Sequence, residues 1–120
     1  MKKESYEKLI VWQKSMNLVV EVYKITSNFP GSELYGLTSQ LKRASVSIPS
    51  NIAEGSRRGS KKDFRNFLIN AYSSGAEIET QLQIAFRLKY INNYQLMKIN
   101  IQLLEIMKML NTFIRKLNEK

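Results

Sequence analysis

The chain contains no cysteine and no histidine. Without cysteine there is no disulfide, no thiolate nucleophile and no sulfur-ligated metal. Without histidine the commonest general base and the commonest transition-metal ligand are gone, and with them the Glu-x-x-His clusters of di-iron bundles. Proline and glycine are scarce, at two and five residues in 120, so helices meet few breakers. No alternating strand pattern persists, and no apolar run approaches the roughly 20 residues that cross a bilayer, so no membrane partner is expected. The opening MKKESYEKLIVWQK has two early lysines but turns amphipathic at once. That pattern does not suit a secretory signal, and a cytoplasmic location is the expectation. Acid is short too: ten Asp and Glu stand against nineteen Lys and Arg, for a formal net charge of +9. Such an excess favours an anionic partner, nucleic acid before a membrane surface.

What is present is helical spacing. A chain of this length forms one domain, residues 1–120, around one core. The apolar pattern divides it into helices over about 6–28, 33–57, 61–90 and 93–117. In the first, Leu9, Trp12, Met16, Val19 and Tyr23 recur at steps of three and four. Val11, Leu18, Val22, Ile25 and Phe29 form a second stripe about 120° round the same helix. Phe29-Pro30-Gly31 breaks this helix, and Ser32 is placed to cap the next. The second helix carries Leu34, Leu37, Leu41, Ala44, Ile48 and Ile52 on one seam, with Pro49 expected to kink or open it. Ser60 and Asp63 have capping-box spacing before the third helix, whose seam runs from Phe64 through Gly75 to Ala85 with small residues at its middle. Asn92 and Gln95 can cap the fourth, which again has two stripes, one through Ile99, Leu103, Ile106 and Leu110, the other through Tyr94, Met97, Ile101 and Leu104. Four such helices on short loops imply an all-α fold, an antiparallel up-down four-helix bundle. One bundle core needs one stripe per helix. The surplus on the first and last helices predicts a homo-oligomer, with Val11, Leu18, Val22, Ile25, Ile99 and Ile106 assigned to the interface.

Two polar constellations stand out. Gln40, Arg43, Ser47, Asn51, Glu54 and Arg58 recur along one face of the second helix, and Glu77 and Glu79 flank the third seam. Arg43, Asn51, Glu54, Glu77 and Glu79 are expected to form a half-buried structural network, one of the two glutamates meeting Arg43 or Asn51 across the helix pair. Carboxylates without histidine make a poor transition-metal site, so no metal, cofactor or catalytic residue is assigned. A magnesium-dependent nuclease using Glu54, Glu77 or Glu79 is the remaining enzymatic alternative. The second constellation is Gly55-Ser56-Arg57-Arg58-Gly59-Ser60-Lys61, which lacks the spacing and the preceding strand of a nucleotide-hydrolysing phosphate loop. Arg57, Arg58, Lys61, Lys62 and Arg65 nevertheless gather there with only Asp63 among them. Cations beside the backbone donors of a helix start suit a nucleic-acid phosphate. The alternative is a protein-interaction scaffold whose charge only keeps an assembly soluble.

The segments VWQKSMNLV, LTSQLKRASVSIPSNIAEGSRR, FLINAYSSGAEIETQL and IAFRLKYI follow one another in this order. Together they resemble the 23S rRNA-intervening-sequence protein family, over Val11 to Ile91, most distinctively at SIPSNIAEG and EIETQL. That family is encoded within, or is similar to proteins encoded within, insertions in bacterial 23S rRNA genes. It is similar in fold to the accessory protein of diversity-generating retroelements, a basic barrel that contacts nucleic acid and reverse transcriptase. The resemblance implies a ring, a homopentamer, with RNA or RNA–DNA and a reverse transcriptase as partners to consider. It brings no enzymatic residues.

Overall fold

The computed structural model describes residues 5–118. Four α-helices run through them: α1 (Ile10–Thr26), α2 (Leu37–Ser56), α3 (Lys61–Arg87) and α4 (Asn93–Asn118). Short 3-10 turns occupy Tyr6–Lys8 and Gly31–Glu33. Each helix packs on its neighbours in the chain, and α4 closes the ring by packing on α1. The backbones of the diagonal pairs do not approach closely. This up-down four-helix bundle is a rod of 49 × 22 × 20 Å. Leu18 and Val22 of α1, Leu41 and Ile48 of α2, Ile78 and Leu82 of α3, and Leu103 and Ile106 of α4 are withdrawn from solvent along its axis. Burying each such leucine or isoleucine contributes about 1.5–3 kcal/mol before the entropy of ordering is counted.

The helix ends explain where the expected boundaries shift. Asn92 Oδ1 accepts from Gln95 N–H, and Gln95 Oε1 accepts from Asn92 N–H, both at 2.8 Å, a reciprocal capping box at the start of α4. Ser60 Oγ accepts from Asp63 N–H at 3.1 Å to open α3. Ser32 does not cap α2. The Glu33 carboxylate does so from inside the preceding turn, accepting the Leu37 N–H at 3.1 Å through Oε1 and the Tyr90 hydroxyl at 2.9 Å through Oε2. One side chain therefore ties the α1–α2 connection to the α3–α4 turn. The third helix stops at Arg87, short of the expected 90, because Lys89 adopts a left-handed φ of 66°. Its N–H bonds Phe86 C=O and the Tyr90 N–H bonds Ala85 C=O, both at 2.9 Å, closing the helix in a Schellman motif without glycine. Pro49 does not open α2, which runs unbroken through it with the ring buried.

The α2–α3 hairpin is the closest-packed pair. Gly55 of α2 lies so near α3 that an added Cβ would stand 2.7 Å from Phe67 Cβ and 2.9 Å from Phe64 Cδ1. Gly75 of α3 makes the corresponding room for Met107 of α4. Between α2 and α3, Ser47 and Ser74 hydroxyls meet at 2.8 Å.

The interface assignment is overturned in its residues. Val11, Leu18, Val22, Ile25, Ile99 and Ile106 are all buried in the core of the single bundle. Both stripes of α1 and α4 are apolar, so periodicity alone could not tell which one faces inward. The outward stripes are Met16, Val20 and Tyr23 on α1, and Tyr94, Met97, Ile101 and Leu104 on α4. On α4 the stripe is wide open, with Tyr94 72% and Ile101 68% exposed.

Candidate nucleic-acid interface

The basic cluster forms at one end of the rod, where α2 turns into α3. Arg57 and Arg58 follow the last turn of α2, and Lys61, Lys62 and Arg65 fill the first turns of α3. The two arginines are held against rings. The Arg57 guanidinium lies 5.3 Å from the Tyr6 ring centroid and that of Arg58 4.8 Å from Phe67. Tyr6 itself packs edge-on against Trp12 at 5.3 Å, which accounts for a tryptophan that could otherwise have been read as a base-stacking residue. Arg58 also pairs with Glu54 at 2.9 Å, one helical turn back. Stacked and paired guanidiniums lose rotamer freedom on folding rather than on binding.

Lys61 and Lys62 stand at the N-terminus of α3, where the helix dipole already places partial positive charge. Each such cation costs a few tenths of a kcal/mol to about 1 kcal/mol, and only Asp63 offsets it in that turn. An anion at this end is attracted by the lysines and by the helix terminus together.

Sequence reading missed two members of this end. Phe64 of α3 and Phe113 of α4 meet edge to face at 5.1 Å, which brings the last turns of α4, with Arg115 and Lys116, alongside the start of α3. The signal was available: in an up-down bundle the end of the fourth helix must return to the start of the third.

The expected polar network takes a different form. Asn51 Nδ2 donates to Ser47 C=O at 2.8 Å and to Ser47 Oγ at 2.9 Å. The Ser47–Ser74 contact carries the chain across to α3, where Ser74 Oγ donates to Asn70 C=O at 3.2 Å. Glu54 turns to Arg58 and Glu77 accepts from Gln81 Nε2 at 3.3 Å, each within its own helix. Arg43 is exposed and Glu79 half-buried, and neither makes an ion pair or hydrogen bond among the described residues. The link from Glu77 or Glu79 to Arg43 or Asn51 therefore does not form, because the helices sit close enough for two serines to bridge them. Ser74 went unassigned in the sequence, though the small run Ser73-Ser74-Gly75-Ala76 signals that close approach. Among the described residues no three carboxylates group to hold a metal ion, and no helix is long and apolar enough to cross a membrane.

A family model described as 23S rRNA-intervening sequence protein matches residues 7–112. A solved structure from Bacteroides thetaiotaomicron, a protein with unknown function from the S23 ribosomal protein family, is 31% identical with a TM-score of 0.79. The match covers 88% of this chain and 98% of that one. Among curated proteins none matches.

Proposed function

The chain belongs to the 23S rRNA-intervening sequence protein family, and we propose that it acts as a non-enzymatic, homo-oligomeric, cytoplasmic bundle that binds structured RNA or RNA–DNA through the phosphate backbone. The observation that carries this reading is the gathering of Arg57, Arg58, Lys61, Lys62 and Arg65 at one end of the rod, in a chain with a net charge of +9. The family's tie to ribosomal RNA in its name agrees with a phosphate partner. No side-chain set for reading base edges accompanies the cations, so sequence preference is slight. The test replaces Arg57, Arg58, Lys61 and Lys62 with serine and measures binding to a structured RNA across salt. The parent loses affinity with a log–log slope of about −0.9 per phosphate neutralised, and the variant's slope flattens while its helical signal stays. A variant that binds as tightly as the parent refutes the assignment.

The oligomer rests on the open stripe of α4. Tyr94, Met97, Ile101 and Leu104 line one face, and an apolar patch of that extent marks a contact surface. The resemblance to ring-forming bundles suggests five copies, and a reverse transcriptase is the protein partner to test first. Light scattering should then give five times the chain mass of 14.0 kDa. Ile101→Asp should lower that mass with the helices intact, whereas Ile106→Asp, in the core, should unfold the chain. If Ile101→Asp leaves the mass unchanged, the face is not the interface. A protein scaffold without nucleic acid is the second reading, favoured by the same stripe. It prevails if the parent shows no salt-sensitive binding.

A further inference from the structure

Resting on the phosphate-binding reading, we infer that the whole basic end of the rod, from the α2–α3 turn across to the last turns of α4, is one continuous face for a nucleic-acid duplex, to the exclusion of single strands. Three observations carry it.

The first is continuity. The Phe64–Phe113 contact holds the start of α3 against the end of α4, so Lys61, Lys62 and Arg65 share an end with Arg115 and Lys116. The second is the state of these cations. None of the five makes an ion pair among the described residues, unlike Lys14, Lys24 and Arg58, which pair with Glu105, Glu21 and Glu54. Charge left unneutralised on one face is complementary to a row of phosphates.

The third observation separates duplex from single strand. Proteins that hold single strands stack the unpaired bases on open aromatic faces. Every ring at this end is engaged: Tyr6 by Trp12 and Arg57, Phe67 by Arg58, Phe64 and Phe113 by each other. The most open rings lie elsewhere, Tyr35 in the α1–α2 connection and Tyr94 at the start of α4, both at the opposite end, while the less exposed Tyr23 and Tyr72 lie along the shafts of α1 and α3. What remains is backbone contact, which a duplex supplies most densely, about one charge per 1.7 Å of axis. The rod is 22 × 20 Å in cross-section, so its end spans roughly six phosphate steps of one strand.

Seven contacts per chain, Arg57 and Arg58 included, correspond to a slope near −6.3 in log affinity against log salt, a loss of about 6,000-fold between about 50 and 200 mM. Removing two leaves about −4.5, and a loss of about 500-fold. The experiment measures binding of a short RNA duplex and of one of its strands alone to the full chain, its Arg115→Ser/Lys116→Ser variant and its Arg115→Lys variant. The expected result is a slope reduced to about five-sevenths in the double variant and retained in Arg115→Lys, with helical signal and assembly mass unchanged throughout. The duplex should bind at least tenfold more tightly than the strand. An unchanged slope in the double variant overturns the continuous face while leaving the α2–α3 cluster standing. Equal affinity for strand and duplex overturns the choice of ligand. A parent that binds phosphatidylserine vesicles but no duplex overturns this inference and the reading beneath it together.

Discussion

Replacing Gly55 with alanine tests the packing that holds the basic end together. The new Cβ would lie 2.7 Å from Phe67 Cβ, 2.9 Å from Phe64 Cδ1 and 3.3 Å from Phe67 Cγ. Carbon atoms prefer separations of about 3.5–4.0 Å, so the overlap with Phe67 Cβ is roughly 0.8 Å. That atom is bonded to the α3 backbone and cannot swing aside; α2 and α3 must separate. Overpacking of this kind costs about 1–3 kcal/mol, and the helix preference of alanine over glycine returns about 0.5–1 kcal/mol. The net loss is then about 0.5–2 kcal/mol, a fall in Tm of roughly 2–8 °C for a domain of this size. Two other glycines calibrate the measurement. Gly75→Ala meets Met107 Cγ at 2.9 Å and Sδ at 3.1 Å, but a thioether chain has rotatable bonds with which to move, so the change should stay within about 0.5 kcal/mol. Gly59→Ala meets nothing within 4 Å and has no positive φ, so it should be neutral or stabilising by about 0.4–1 kcal/mol. Thermal melts followed by far-UV circular dichroism, at one protein concentration because any assembly would shift Tm, rank the three. Gly55→Ala melting at or above the parent would refute the close approach of α2 and α3.

Two further changes probe the α3–α4 turn. Lys89→Gly should raise stability by about 1 kcal/mol, because a non-glycine residue at φ 66° carries a left-handed cost of about 1–2 kcal/mol; a denaturant midpoint that fails to rise counts against the Schellman closure. The hydrogen bond to Glu33, then loss of water, then the glutamate charge hold the Tyr90 pKa above its ordinary 10.0. The folded state thus favours the neutral phenol, so its contribution is complete below about pH 10 and is lost as pH rises through the raised value. Melts between about pH 8 and 11 should show that decline in the parent and a weaker one in Tyr90→Phe, and identical profiles would remove Glu33 as the latch.

The elements that could be read from the sequence were those fixed locally. Asn92 and Gln95 announce the start of α4 because a capping box uses only residues three apart, and the Ser60 cap follows the same logic. The end of α3 was not legible, since glycine is the usual marker of a left-handed C′ residue and lysine stands there. Ser32 looked like the cap of α2 because hydroxyls usually serve, but α2 starts later, at Leu37, and the carboxylate of Glu33 takes the Leu37 N–H and finds a second partner in Tyr90, 57 residues on. Such a preference depends on tertiary contact and leaves no trace in spacing.

The same limit governed the site. Arg57, Arg58, Lys61, Lys62 and Arg65 are contiguous, so their clustering needed no fold. Arg115 and Lys116 join them only through the return of α4, and the outward stripe of α4 could be told from its core stripe only once the neighbours were placed. With both in position a functional relation follows that neither shows alone. The open stripe of Tyr94, Met97, Ile101 and Leu104 lies on the flank of α4, in the half remote from the basic end. Association through that flank would bury apolar surface and leave the cationic end untouched. Had the stripe lain at the end of the rod, assembly would have driven the seven cations of each copy together at distances below the Debye length of about 8 Å. Because it lies on the side, copies associating there could gather with their basic ends pointing the same way, and each added copy would multiply the contacts proposed above for a duplex.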